Sequence, residues 1–343
     1  MALQTRDEEP GPAEVVVEVA ACGVCHTDLS FYYDGVPTRR PFPITLGHEV
    51  SGRVIATGSE ARTWLGRAVI VPSVIPCGTC AACLAGRGQV CSAQVFPGSG
   101  VHGGFGTHLV VPARGLCEVP DLSDRLRNPA ALDLISLAVV ADAVSTPYQA
   151  VMRSGLESGD LAVWVGAGGL GGFGVQIAAA IGAAVVALDV DDERLIQLQS
   201  HGVSLALNAA QAEPRALRAA IRQFAEARGI PSWRTKIFET SGQPGGQALA
   251  FALLGPGAAL WVVGYTARAV ELRLSNLMAF DAVAQGNWGC LPERYPAVLA
   301  LALAGRVAIE PFIERRPMST INEAFAALRR GGVRKRIVLI PGA

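Results

Sequence analysis

No charge of one sign predominates in these 343 residues: 29 lysines and arginines are matched by 29 aspartates and glutamates. Such a balance offers nothing for a nucleic acid or an anionic membrane surface to select. An apolar leader core is also missing, because Met1 to Pro12 is polar and acidic, so no signal peptide is expected. Nor is there an unbroken membrane span. The most apolar long stretch, 172–190, is interrupted by Gln176 and by three glycines, and it divides more naturally into a helix and a strand. Internal repeats and low-complexity linkers are absent too, which removes repeat architectures. The expectation is a soluble, cytoplasmic protein of two or three domains, with half its residues hydrophobic and ample material for a large core.

What is present is cysteine and histidine in pattern. The eight cysteines are 22, 25, 77, 80, 83, 91, 117 and 290. In a long chain with no expected leader, clustered cysteines point to metal binding rather than disulfides. Cys25 and His26 lie in the run Gly23-Val24-Cys25-His26-Thr27-Asp28, and His48 in Gly47-His48-Glu49. A thiolate and an imidazole are donors that Zn²⁺ prefers. Asp28 and Glu49 add carboxylates able to orient those donors, and Thr27 adds a hydroxyl beside a metal ligand through which a proton could pass. Cys77-x2-Cys80-x2-Cys83-x7-Cys91 places four thiols within fifteen residues, with Gly78, Gly86 and Gly88 to allow tight turns. Four thiolates close a tetrahedral shell, as in a structural zinc site, although an iron–sulfur cluster asks for the same donors. Asp142 interrupts the apolar run 134–144. A carboxylate there needs a partner, either as a helix N-cap or as a third metal ligand. His102 and His108 lack metal-type spacing and read as structural.

Elsewhere the pattern reads as short strands separated by Gly and Pro. Strands are expected over 14–20, 50–56 and 68–71, a loop over 29–46, and helix over 132–151. The period then changes. A buried-strand run at 161–165 is followed by Gly166-x-Gly168-x-x-Gly171, a helical stretch to Gly182, and a strand at 184–188 ending at Asp189. This is the dinucleotide fingerprint in its required context. Gly166 makes the tight turn, Gly168 lets the backbone approach a pyrophosphate, and Gly171 permits close helix–strand packing. Gly169 and Leu170 complete the loop, whose following helix turns its N-terminal amides toward phosphate. Asp189 is placed to accept from an adenosine ribose 2′-hydroxyl and to repel a 2′-phosphate, which favours NAD over NADP. Arg194 is the residue that could meet a phosphate instead. Helices at 211–228, 247–254 and 295–304 and strands at 236–239, 259–264 and 336–340 continue the alternation.

Together these motifs resemble the zinc-dependent medium-chain alcohol dehydrogenases. The resemblance covers nearly the whole chain. It implies an α/β chain in which a GroES-like β-barrel-type catalytic domain is joined to a Rossmann domain with a doubly wound parallel sheet. The implied boundaries are 1–144 for the catalytic domain with its structural-zinc lobe at 77–91, 145–285 for the NAD-binding domain, and 286–343 for a return to the catalytic domain. It also implies two zinc ions per chain. Cys25, His48 and Asp142 would hold the catalytic one, with Glu49 able to approach it, and Cys77, Cys80, Cys83 and Cys91 the structural one. Thr27 would take the substrate proton, Asp28 would orient His48, and His26 and Arg336 would lie near the cofactor pyrophosphate. There are two departures from the family pattern: the segment before Cys25 is short, and Ser30 stands where several members carry a relay histidine.

A narrower resemblance lies in 31–37, 139–150, 277–282 and 288–293, which are similar to dehydrogenases of the 6-hydroxycyclohex-1-ene-1-carbonyl-CoA type. It implies an alicyclic CoA thioester as substrate, oxidised to the 6-oxo enone in anaerobic aromatic degradation. A polarised enone would also accept water at its β-carbon. Arg39, Arg40, Arg87 and Arg114 are candidates for CoA phosphates, and Tyr32, Trp288 and Leu291 for pocket walls. A homo-oligomer, dimer or tetramer, is expected by analogy. The rivals are a general dehydrogenase of free alcohols, a zinc-free reductase, which would lack the Cys25, His48 and Asp142 set, and a non-catalytic NAD- and zinc-binding protein.

Overall fold

The computed structural model of the chain describes residues 1–5 and 9–342. In chain order the strands are β1 (Glu14–Gly23), β2 (Glu49–Thr57), β3 (Ala68–Val71), β4 (His108–Pro112), β5 (Cys117–Glu118), β6 (Leu161–Val165), β7 (Ala184–Asp189), β8 (Leu205–Asn208), β9 (Thr235–Glu239), β10 (Ala259–Val262), β11 (Val283–Gly286), β12 (Ile313–Pro317) and β13 (Arg336–Ile340). They divide between two compact units. One comprises Met1–Ser145, Gly289–Gly305 and Ile309–Ala343, the other Thr146–Trp288 and Arg306–Ala308.

The first unit is built on a seven-stranded sheet in the order β12-β13-β1-β2-β3-β5, with β4 also paired to β1. Along β1, Val15, Val17 and Val19 are buried while Glu18 is exposed, the period-two signature of a strand with one wet face. β1 runs three residues beyond its expected end, because Ala21, Cys22 and Gly23 pair with β2 on one side and Cys22 and Gly23 pair with Leu339 and Val338 of β13 on the other. That partner lies over three hundred residues away and leaves no local trace. Among the described residues, two apolar clusters pack within the unit. Val15, Val17, Val50, Val69 and Val111 contribute to one, and Leu29, Leu46, Phe325, Ile337 and Leu339 to the other.

Two sequence expectations need correction here. The expected loop at 29–46 opens inside a helix, His26–Tyr33, which has almost no amphipathic pattern and forms through its cap instead. The expected helix at 132–151 is two pieces, a 3₁₀ turn at Ser136–Ala141 and an α-helix at Ser145–Ser154. The break falls at Asp142, whose backbone (φ −146°, ψ −57°) leaves helical geometry.

The second unit is a six-stranded sheet ordered β11-β10-β9-β6-β7-β8, with every pair parallel. Counted from β6 as the first strand, this is the 3-2-1-4-5-6 order of a doubly wound fold. Central β6 is buried at every position and packs Trp164 flat on Phe238 of β9, with centroids 4.3 Å apart. Helix Pro214–Glu226 shows why the alternation is readable: Leu217, Ile221 and Ala225 repeat every four residues and face the core, and Pro214 starts the helix. β8 and β11 escape sequence reading because they are edge strands, half-buried and exposed respectively, without a continuous apolar run. The order of strands reverses between β6 and β9, so the crevice at their C-terminal ends is where a doubly wound sheet takes its ligand. Among the described residues no helix is long and apolar enough to cross a membrane.

Candidate functional site

One buried carboxylate ties the Cys25 and His48 motifs together. Asp28 is the third residue of helix His26–Tyr33, and its Oδ2 accepts the Cys25 backbone N–H at 3.0 Å, as a capping-box acid does. Its Oδ1 accepts the Gly47 N–H at 3.1 Å and stands 3.3 Å from His48 Nδ1. The same side chain therefore starts the helix that presents Cys25 and Thr27, and turns the opposite nitrogen of His48 inward.

That inward nitrogen meets the other donors. His48 Nε2 lies 3.6 Å from Asp142 Oδ2, and Cys25 Sγ lies 3.9 Å from the same oxygen. The ligand atoms of Cys25, His48, Glu49 and Asp142 all fall within 4.8 Å of one another. Burial alone would push the His48 imidazole down, but the Asp28 carboxylate and hydrogen bonding with Asp142 and Asp28 hold it well above the usual histidine range. A thiol, an imidazole and two carboxylates in one buried cluster fit a divalent cation in both charge and donor type. Thr27 Oγ1 is 3.7 Å from Cys25 Sγ, at the edge of this cluster.

Glu49 is held from behind. Both its oxygens are engaged by the Arg336 guanidinium, one through Nε at 3.0 Å and the other through Nη2. Burial pushes the Glu49 carboxyl up to about 7 against the pull of Arg336. Arg336 also stands 3.9 Å from Asp142 Oδ2 and is 6 % exposed, so the residue expected near a pyrophosphate directs its charge to the carboxylates of the cluster. Gly23 makes room for this arrangement: a Cβ there would sit 2.0 Å from Glu49 Oε2. His26, expected near the same pyrophosphate, is exposed at the first position of the helix.

The four-cysteine lobe is a second donor set. Sγ–Sγ separations are 3.8 Å for Cys77–Cys83, 3.5 Å for Cys80–Cys83 and 3.7 Å for Cys80–Cys91. A tetrahedron with metal–sulfur bonds of about 2.3 Å has edges of about 3.8 Å, so the sulfurs fit a zinc ion without rearrangement. Backbone N–H groups already point at them: Gly78 to Cys83 and Cys80 to Cys77, each at 3.4 Å. Hydrogen bonds from the Thr79 amide and hydroxyl hold the Cys77 thiol down at about 5, while desolvation pushes Cys83 up to about 12. Thiols this close resist joint ionisation until a cation balances them.

In the second unit, the Gly166–Gly171 loop leaves β6 and enters helix Gly171–Ile181. Gly166 has φ +95°, and a Cβ on Gly171 would lie 1.8 Å from the Gly166 carbonyl oxygen, so this turn closes only without side chains at both places. Asp189, at the end of β7, accepts from Ala167 N–H at 2.7 Å and from the Val190 and Asp191 N–H groups at 2.8 and 3.0 Å. It thus anchors the loop as well as carrying charge beside it. Arg194 stands 3.8 Å from Asp189 and 3.9 Å from Asp191. Gly168 leaves the backbone open at the loop's crown, a Cβ there meeting nothing closer than the Arg194 guanidinium at 3.5 Å. Gly169 and Leu170 lead from it into the helix.

Sequence reading missed Thr240. Its hydroxyl donates to the Gly166 carbonyl at 2.7 Å and stands 3.2 Å from that of Val165, clamping the turn from the end of β9. Glu239 supports it, accepting from the Ser241 and Gly242 N–H groups. A lone Glu-Thr-Ser-Gly carries no motif signal; only the parallel pairing of β6 with β9 brings it to the loop. Other candidate residues sit elsewhere in the fold. His102 Nδ1 accepts the Thr45 N–H, and Tyr32 and Tyr33 make edge and tilted ring contacts with Phe325. Arg39 donates to the Gln94 carbonyl and Arg114 to that of Pro76, both beside the four-cysteine lobe. Leu291 is buried against Gly88, and Trp288 is half exposed.

Known proteins share the sequence pattern and the fold. Residues 11–121 match the alcohol dehydrogenase GroES-like domain, and residues 169–304 match the zinc-binding dehydrogenase family. An alcohol dehydrogenase of Geobacillus stearothermophilus is 30% identical over 332 residues, covering 95% of this chain and 91% of the relative. The crystal structure of galactitol-1-phosphate dehydrogenase from Escherichia coli superposes with a TM-score of 0.86 at 26% identity, covering 99% of this chain and 96% of that one. An alcohol dehydrogenase from the archaeon Aeropyrum pernix gives a TM-score of 0.85 at 28% identity, with 99% and 96% covered. The chain therefore belongs to the zinc-dependent medium-chain alcohol dehydrogenase family, as an oxidoreductase acting on an alcohol or polyol.

Proposed function

We propose that the protein oxidises a secondary alcohol with NAD, using Cys25, His48 and Asp142 as catalytic-zinc ligands and Cys77, Cys80, Cys83 and Cys91 as structural-zinc ligands. The observation that carries this is the convergence of the Cys25, His48, Glu49 and Asp142 donor atoms within 4.8 Å in a buried site. When bound, zinc supplies Lewis acidity that lowers the pKa of an alcohol hydroxyl, and NAD supplies the hydride acceptor. Cys25, His48 and Asp142 would hold the ion, and three protein donors would leave room for substrate. Arg336 holds Glu49 by both oxygens, and Glu49 would be able to approach the zinc only on leaving that pairing. Thr27 takes the hydroxyl proton and passes it outward. Asp28 fixes the His48 ring, which keeps Nε2 facing the cluster. Asp189 accepts from the ribose hydroxyls and repels a 2′-phosphate, which is the basis for NAD rather than NADP.

The narrower substrate is a cyclic allylic secondary alcohol carried as a CoA thioester, 6-hydroxycyclohex-1-ene-1-carbonyl-CoA, in anaerobic aromatic degradation. Its support is the sequence similarity of 31–37, 139–150, 277–282 and 288–293. A second reading, a polyol phosphate, is favoured by the 27% identity to galactitol 1-phosphate 5-dehydrogenase of Escherichia coli across 96% of this chain. We further propose a cytoplasmic homo-oligomer, since Leu274, Met278 and Val283 are more than half exposed near the sheet edge at β11; light scattering of the purified protein tests it. NAD⁺ reduction is followed with the thioester, free cyclohex-2-enol and galactitol 1-phosphate, in the native chain and in Cys25→Ser and His48→Ala. Turnover of the thioester alone, lost in both variants, is the expected outcome, and heavy-oxygen water added to the enone product tests for hydration. Full turnover in either variant would sink the metal-site assignment. Turnover of the polyol phosphate or the free alcohol alone would discard the thioester.

A further inference from the structure

Tyr295 opens helix Tyr295–Leu303 and is 0 % exposed, although it carries a hydroxyl. That hydroxyl donates to the Ala141 carbonyl at 2.5 Å and accepts from the Ser73 N–H and the Ser145 hydroxyl, each at 3.3 Å. One donor and two acceptor sites are the whole capacity of a phenol, and all are directed at the turn that carries Asp142 or at the segment beside it. The Ser73 N–H also lies 3.4 Å from the Ala141 carbonyl, which closes the network.

The turn is gripped at both ends. At its start, the Ser136 N–H donates to Asp133 at 2.8 Å, and Arg315 binds Asp133 at 2.7 Å and Glu310 at 2.6 Å. At its end, Tyr295 holds the residue before Asp142 and the residue three after it. Between these grips the backbone leaves the 3₁₀ turn at Asp142, and the carboxylate reaches Cys25 Sγ at 3.9 Å and His48 Nε2 at 3.6 Å. Metal sites tolerate about 0.2 Å in ligand distance, so the backbone beneath a ligand must be placed as closely as the ligand itself.

We infer that Tyr295 is a positioning residue for the metal centre: by fixing the Ala141–Ser145 turn it sets the Asp142 carboxylate against Cys25 and His48. This rests on the reading that those three residues hold the catalytic zinc. Phenylalanine at 295 keeps the ring and its packing but leaves the Ala141 carbonyl and the Ser145 hydroxyl without the phenol.

The test is chelator competition on the purified full chain, with zinc at the four-cysteine lobe as internal reference and the visible absorption of the cobalt-substituted centre as a report of geometry. Tyr295→Phe is expected to weaken the catalytic metal about ten-fold, to shift the cobalt bands, and to leave the four-cysteine metal untouched. Asp142→Asn separates the two claims. If it leaves catalytic metal affinity unchanged, the ligand assignment fails. If it weakens the metal while Tyr295→Phe keeps native affinity and native cobalt bands, losing only thermal stability, the positioning inference alone is overturned. Should Tyr295→Phe not fold, Ser145→Ala removes one hydrogen bond from the phenol. A several-fold loss of catalytic metal affinity there supports the inference, and native affinity overturns it.

Discussion

Asp28→Asn separates two roles that a single carboxylate performs. Asp28 is 0 % exposed, accepts from Cys25 N–H at 3.0 Å and Gly47 N–H at 3.1 Å, and stands 3.3 Å from His48 Nδ1. Asparagine keeps one oxygen and puts an amide NH₂ in place of the other, so one buried N–H faces a donor. A buried group left unsatisfied costs about 1–3 kcal/mol of stability. The second effect is the loss of the anion opposite His48. Removing such a partner lowers metal affinity by about 10- to 100-fold, equivalent to about 1.4–2.7 kcal/mol. The two magnitudes overlap, so a melt alone does not discriminate, least of all in a chain of two units where a single transition is not assured. Chelator competition for the catalytic metal reads the second effect directly, with the four-cysteine metal as reference. The expected result is a ten-fold or greater loss at the catalytic site and none at the lobe. A destabilised variant that binds catalytic zinc within two-fold of the native chain would refute the reasoning: Asp28 would then staple two loops without holding the imidazole.

Gly171→Ala places a Cβ 1.8 Å from the Gly166 carbonyl oxygen. Overpacking of about 1–3 kcal/mol should appear as roughly a ten-fold loss in NAD affinity by calorimetry, with metal content unchanged. Cys83→Ser breaks the sulfur tetrahedron, and elemental analysis should find one zinc fewer per chain while the catalytic metal stays bound. Glu239 gives a pH signature. Its carboxyl is raised by burial, against hydrogen bonds from Ser241 and Gly242, so its folded pKa stands above its unfolded value. The stability it contributes is full below about pH 4.3 and is lost as pH rises through the raised value. Glu239→Gln should remove that slope in denaturant titrations across mildly acidic pH; an unchanged slope would show that Glu239 does not produce it.

The four-cysteine cluster and the glycine loop were legible because each is local. Four thiols within fifteen residues must meet when the lobe turns, and Gly166 to Asp189 is one strand–helix–strand unit whose spacing is set by the elements themselves. Asp142 was not legible on its own. Its neighbours suit an apolar helix, and whether it caps that helix or reaches a metal depends on where β1 and β2 carry Cys25 and His48. The helix at His26–Tyr33 was missed because its stability comes from a cap rather than from an apolar face. β8 and β11 were missed because edge strands lack a continuous apolar run.

By itself the sequence determined the chemistry available: soft donors in two sets, a glycine loop able to approach phosphate, an acid after the second Rossmann strand, and an alternation that commits residues 161–264 to a parallel sheet. Tertiary structure decided which of those groups act together. Arg336 reaches Glu49 because β13 pairs with the end of β1, and Thr240 reaches Gly166 because β9 lies beside β6. Tyr295 reaches Ala141 because a helix from the end of the chain packs beneath the Asp142 turn. Spacing along a chain encodes neighbours only within one element or one tight turn. Contacts across a hundred residues or more depend on strand order and packing, and those are properties of the assembled fold.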